Sequence, residues 1–178
     1  MAWWSRASKP IVDGELAVVT GIVRAVGPVL EAPLSGRPAV AYTSVARIGE
    51  RRIGMQYGIP LLTTVDDRRI VPFDLETPEQ TIQIDVTEVE LAITPLPLVP
   101  RDLERERAFL IEHASGDIDV RTAAFEERCV EPGARIEVRG LVIAVTDPTT
   151  GEHGFRDGSS RFRIIASEKH PVRIRSAR

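Results

Sequence analysis

Cysteine is almost missing from this chain. Among 178 residues only Cys129 occurs, so no intramolecular disulfide can form and a reducing compartment, the cytoplasm, is the expected location. Histidine is nearly as scarce. His113, His153 and His170 stand far apart, and no Cys-x-x-Cys or His-x-x-x-His pair exists to hold a structural zinc. Long apolar runs are lacking too. The longest uncharged stretches, Ile53 to Val65 and Leu91 to Pro100, are broken by proline and fall short of the roughly 18 residues a spanning helix needs. Aromatic residues make up 5% and the formal net charge is −3, which supplies neither the stacking platform nor the strong positive field that single-stranded nucleic acid requires.

What is present is a globular composition. Hydrophobic residues at 43% and charged ones at 28% lie near the average of folded domains and argue against disorder. A chain of this length suits one domain that buries roughly 70% of its unfolded surface. The N-terminus, MAWWSRASKP, has an apolar start too short for the core of a secretory signal. Trp3 and Trp4 beside Arg6 and Lys9 suit a shallow peripheral contact with a bilayer. Indoles docked on the domain by a frayed end are the commoner outcome.

The stretch VLEAPLSGRPAVAY, Val29 to Tyr42, carries the densest punctuation. A nucleophile elbow needs Gly-x-Ser-x-Gly, but Pro33 and Arg37 stand where the glycines around Ser35 belong. A phosphate loop needs more glycines and a Lys-Ser or Lys-Thr pair entering a helix, whereas Gly36 is followed by Arg37, Pro38 and a strand-like run. A corner fits better. Pro33 and Pro38 fix φ and remove donors, while Gly36 takes a positive φ between two strands.

Strand signals dominate the remainder. Glu15 to Val26 is rich in valine, and its Gly21 suggests a bulge or a close backbone approach. Ala39 to Ile48 reads as a strand, Ile70 to Leu75 as a short strand whose Pro72 belongs at an edge or a strand start, and Thr81 to Ile93 as one alternating strand with a wet face. The clearest helix is Leu103 to His113. Asp102 caps it, Gly116 stops it, Leu103, Leu110, Ile111 and Ala114 form its buried side, and Glu104, Arg105, Glu106 and Arg107 its solvated face. Thr122 to Cys129, the turn through Pro132 and Gly133, and Ala134 to Thr146 read as a hairpin, followed by a last strand at Arg161 to Ala166. No repeat of fixed period appears.

Four pieces in order, GIVRAVGPVLEAPLSGRPAVAY from Gly21, VPFDL from Val71, FLIEHASG from Phe109 and FEERCVEPGARIEVRGLV from Phe125, resemble the GIDE domain. This is the beside-a-membrane domain that accompanies the RING finger of a mitochondrial membrane ubiquitin ligase and also occurs in prokaryotes. The resemblance covers residues 14–167 and implies a structural, not catalytic, role for the motif residues: Gly21, Leu30, Pro33, Leu34, Ser35, Gly36, Pro38, Phe73, Leu75, Glu127, Gly133 and Gly140. Ligase relatives add membrane spans and a zinc-binding RING. With a single cysteine, neither a RING nor a zinc-dependent ligase activity is expected here; if the chain serves a ubiquitin-ligase-like system, the RING must come from another chain.

Other chemistry is thinly supported. Glu126 and Glu127 are adjacent on a strand and point to opposite faces. Asp66 and Asp67 beside Arg68 and Arg69 read as a solvated turn. Asp147, Glu152, His153 and Asp157 share a polar loop but lack the spacing of a calcium site. Cys129 reads as a buried apolar side chain. The acidic stretch Asp74 to Glu90, with six carboxylates, and the basic tract Arg156 to Arg178, with seven basic residues against two acidic, would give two charged poles if both were exposed.

The expectation is a mainly β, β-rich α+β chain: an antiparallel sheet or partly open barrel with one short helix near 103–113. Residues 1–13 form an N-terminal extension, 14–167 the GIDE-like domain and 168–178 a basic tail. By the resemblance it is a soluble, non-catalytic protein-interaction module without a cofactor or metal, working beside a membrane or a membrane-associated protein partner, with a homo-oligomer left open. The competing class is an OB-like barrel that binds single-stranded nucleic acid.

Overall fold

The computed structural model describes residues 11–49, 62–98, 100–114, 118–145, 161–167 and 169–177. It is mainly β with one helix, as the residue patterns indicate. The strands in chain order are β1 (Leu16–Ala25), β2 (Leu30–Glu31), β3 (Pro38–Ala39), β4 (Ala41–Gly49), β5 (Leu62–Ile70), β6 (Phe73–Glu76), β7 (Thr81–Ile84) and β8 (Glu90–Leu91). After the helix α1 (Leu103–His113) come β9 (Ala123–Val130), β10 (Arg135–Val145), β11 (Arg161–Ile165) and β12 (Arg173–Ser176).

Five strands form a partly closed barrel in the order β1-β6-β7-β11-β10, with β10 pairing back onto β1. Its β7–β11 pair is parallel and the others are antiparallel. Numbering only these five strands, the order is 1-2-3-5-4-1, the connectivity of an OB-type barrel. Alternation explains the closure. Val19 and Val23 on β1, Phe73 and Leu75 on β6, Ile82 and Ile84 on β7, Val138 and Val142 on β10, and Ile164 on β11 all point inward into one core. Gly21 sits where β1 turns from β10 toward β6, and a Cβ there would lie 2.6 Å from the Glu76 carbonyl oxygen. The glycine is required by that close approach.

β4 and β5, from the segment between the first two barrel strands, join β9, from the segment between β7 and β10, in a second, three-stranded sheet of order β5-β4-β9. One face carries Ala46, Ile48 and Ala123, which pack with Leu34 against Phe109 and Leu110 of α1. The opposite face carries Thr43, Arg47, Asp66, Arg68 and Arg128. This difference between faces fixes which side the helix covers.

Several expectations change. β9 and β10 are not a hairpin: β9 pairs with β4 and β10 with β1, so the turn at Pro132 and Gly133 moves the chain from one sheet to the other. Thr81 to Ile93 splits into β7 and β8, whereas Pro72 stands at a strand start, one of its two expected places: β6 begins at Phe73 and is paired on both sides, by β1 and β7. Asp66 to Arg69 lie within β5, not in a turn. The segment set apart as a tail contributes β12, with Val172 and Ile174 fully buried against the barrel. The helix has the expected bounds and cap, Asp102 accepting from the N–H groups of Glu104 and Arg105 at 3.1 Å, but its buried residues are Glu106, Phe109 and Leu110. Leu103 is 48% and Ile111 75% exposed. Gly116, Trp3, Trp4 and the loop with Asp147, Glu152, His153 and Asp157 lie outside the described residues.

Candidate interaction site

Ten of the motif residues fall in two places, while Glu127 stands on β9 and Gly133, with φ +83°, in the turn between β9 and β10. Phe73, Leu75, Gly21 and Gly140 build the barrel, Gly140 lying where a Cβ would meet a methyl of Ile164 at 2.5 Å. Leu30, Pro33, Leu34, Ser35, Gly36 and Pro38 form the corner between β2 and β3. Gly36 has φ +69°, as the turn chemistry indicates, and its N–H closes the corner on the Ala32 carbonyl at 2.8 Å.

Glu127 joins that corner to the second sheet. Its carboxylate is fully buried and accepts hydrogen bonds from the N–H of Leu34 at 2.8 Å, the N–H of Ser35 at 3.1 Å and the Ser44 hydroxyl at 2.8 Å. Three donors occupy a group that would otherwise be a costly buried charge. Ser35 is turned to local use: its Oγ accepts from the N–H of Arg37 at 3.3 Å. Neither residue is left poised as a nucleophile or base. The sequence named Glu127 and Ser35 separately, and no spacing rule connects residues 92 positions apart.

Arg105 lies over Gly36 and reaches Glu31 at 2.8 Å, tying α1 to the corner. A second buried carboxylate, Glu106, receives Arg101 in a bidentate pair at 2.6 and 2.8 Å. The amphipathic pattern does not reveal it, because glutamate at that position reads as solvated. Cys129 is buried below the corner, and desolvation together with the nearby Glu131 and Glu127 carboxylates pushes its thiol up to about 11. Burial and the hydrogen bond to Asp67 at 2.6 Å raise the Tyr42 phenol well above its usual range.

The two charged tracts are not separate poles. β11 lies parallel to β7 and β12 parallel to β8, so the basic tract is laid against the acidic stretch. Arg163 pairs with Asp85 at 3.3 Å and Arg173 with Glu90 at 2.6 Å, while Arg175 pairs with Glu137 on β10. The outer face of β6 and β7, the face OB-type barrels present to ligands, shows Asp74, Glu76, Thr81 and Gln83, and Arg24 is paired with Glu76 at 2.6 Å. No aromatic ring among the described residues is exposed.

A cleft of about 810 Å³ lies between β5 and the segments that lead into β8 and β12. Asp66, Arg68 and Arg69 line one wall, Glu88 and Glu90 the other. It continues as a smaller hollow of about 350 Å³ over the charged face of the second sheet, past Arg47 and Arg128. Among the described residues no group of three or more histidine, cysteine, aspartate or glutamate side chains is arranged to hold a metal ion. No described helix is long and apolar enough to cross a membrane. Compared with known protein families, curated proteins and solved structures, the chain matches none.

Proposed function

We propose that this chain is a non-catalytic protein-interaction module similar to the GIDE domain, acting beside a membrane or on a membrane-associated protein partner. The observation that carries the reading is the pairing of three arginines of the basic tract: Arg163 and Arg173 lie within 3.3 Å of carboxylates of the acidic stretch, and Arg175 pairs with Glu137 of β10. A strand of nucleic acid would have to displace those pairs, and no phenylalanine or tyrosine ring among the described residues is exposed for it to stack on. The polar groups of the corner support the same reading, since the buried Glu127 and the half-buried Ser35 both bond within it. A polar, internally paired surface suits a protein partner whose own charges set orientation and encounter rate. Should the chain belong to a ubiquitin-ligase-like assembly, its part would be to recruit, with the transfer chemistry on a RING supplied by another chain.

Titration with a labelled random-sequence oligonucleotide at low and physiological salt tests the choice of class. The expected result is no saturable binding at physiological salt. Micromolar binding that survives there and is lost on replacing Arg163, Arg173 and Arg175 together would transfer the chain to the nucleic-acid class.

A further inference from the structure

We infer that the open edge of β5 takes an extended polypeptide segment of a partner, added as an extra strand and presenting a basic side chain to Glu88. This rests on the interaction-module reading and names the kind of partner. Hydrogen-bond parity shows which groups are available. The N–H of Val71 donates to the Val40 carbonyl at 2.9 Å, in the same register that pairs Arg69 with Tyr42 and Asp67 with Ser44. Residues 63, 65, 67 and 69 therefore turn their backbone groups toward β4, and those of Thr64, Asp66, Arg68 and Ile70 face outward. No described residue bonds to them. At the opposite edge of the same sheet the Glu127 carbonyl is already taken, accepting from the Leu96 N–H at 2.7 Å.

The cleft of about 810 Å³ runs along that open edge, because it is lined by Arg69 and Tyr42 from the helix-covered face and by Asp66 and Arg68 from the other. Its far wall is formed by residues 87–90 with Ser167 and Pro171. A lone strand lies roughly 4.8 Å from its neighbour and fits; a second copy of this chain would bring β4 behind its β5 and meet the wall. An unpaired strand edge recognises polypeptide by main-chain bonds, with alternate side chains giving selectivity. The charges are mostly settled: Arg68 pairs with Asp66 at 2.7 Å, Arg69 with Asp67 at 3.3 Å, and Glu90 with Arg173 at 2.6 Å. Glu88 is the lining carboxylate left without an ion partner among the described residues, and it sets the preference for a basic side chain.

The test selects from a displayed library of random twelve-residue peptides with the full chain as bait, then measures enriched peptides in solution. Enrichment of extended sequences with alternating basic residues is expected, and amide exchange should show new protection at Thr64, Asp66, Arg68 and Ile70 alone on β5. Arg68→Pro removes an outward N–H without touching the ladder to β4, and should weaken binding about tenfold or more while Arg68→Ala holds within about threefold. Glu88→Lys, on an exposed residue outside any strand, should cost about tenfold and shift enrichment toward acidic peptides. No enriched peptide, or enriched peptides that leave those four amides unprotected and ignore Glu88→Lys, would overturn the edge assignment. Oligonucleotide binding in the preceding titration would instead remove the parent reading, so the two failures are distinct.

Discussion

The buried carboxylate of Glu127 accepts the N–H of Leu34 at 2.8 Å across 93 positions of sequence. That bond, with the ones from Ser35 and Ser44, makes a carboxylate on β9 the fastening of a corner that local turn chemistry only shapes. Two strands of one sheet and a hairpin meet at one charge.

Removing that charge is the sharpest test of the arrangement. Glu127→Ala leaves three buried donors without an acceptor and should cost about 3 kcal/mol, while Glu127→Gln, which keeps one oxygen, should cost about half of that. Urea denaturation midpoints at constant slope measure both. Ser35→Ala, by contrast, gives up only the Oγ bond to Arg37 and should shift the midpoint by less than about 0.5 kcal/mol.

The corner makes a second demand through Gly36. Its φ of +69° is a region β-branched residues avoid, and a Cβ there would meet the Arg105 guanidinium at 2.7 Å. The guanidinium is the end of a flexible side chain and can move, so backbone strain is the larger cost. Gly36→Val should destabilise by about 1–2 kcal/mol and Gly36→Asn by clearly less. Equal midpoints for the two variants would show that steric contact with Arg105, not φ, decides the position.

Helix α1 carries a third test at the Arg101–Glu106 pair. Glu106 is 2% exposed and its partner Arg101 is 44% exposed at the side chain. Losing Arg101 strands a charge in the core. Arg101→Ala should therefore cost about 3 kcal/mol, whereas Glu104→Ala on the solvated side should be nearly silent. The double change Arg101→Ala with Glu106→Leu should recover at least half of the loss, because the buried charge leaves with its partner.

That pair also marks where the sequence stops being readable. The bounds of α1 follow from Asp102 and the first periodic residues, and the inward alternation of β1, β7 and β10 is plain in their valines and isoleucines. Local rules suffice there. Glu106 breaks them because its burial is decided by Arg101 and by what α1 packs against, while Ile111 is exposed because it lies on the side of α1 turned away from the face of Glu106, Phe109 and Leu110. β9 and β10 read as a hairpin since the turn between them looks like one; which sheet each strand joins is settled by partners 75 or more residues away (Ile48 with Ala123, 123 − 48). β12 was hidden by its arginines. They alternate with Ile174, whose single buried side chain is too little periodicity to outweigh the charge of the tract. Within the proposed cleft, the strand character of Asp66 to Arg69 was masked in the same way by four consecutive charges.

The last prediction uses the titration of Cys129. Burial pushes its thiol up to about 11 in the folded protein, against about 8.5 for an unfolded cysteine. Below about pH 8.5 the thiol is protonated in both states and makes no difference to stability with pH. Between about 8.5 and 11 the unfolded chain releases the proton while the folded chain retains it. Folding then binds more protons than the unfolded state, and linkage requires stability to fall as pH rises through that window. Cys129→Ala should flatten this decline between about pH 8.5 and 10, before the Tyr42 phenol, also raised by burial, adds its own slope above the usual tyrosine value of about 10. The same burial should leave the thiol unreactive toward Ellman's reagent at about pH 8 until denaturant is added. Rapid modification of the folded chain, or an alkaline stability profile identical with and without Cys129, would place the thiol at the surface and break the packing described beneath the corner.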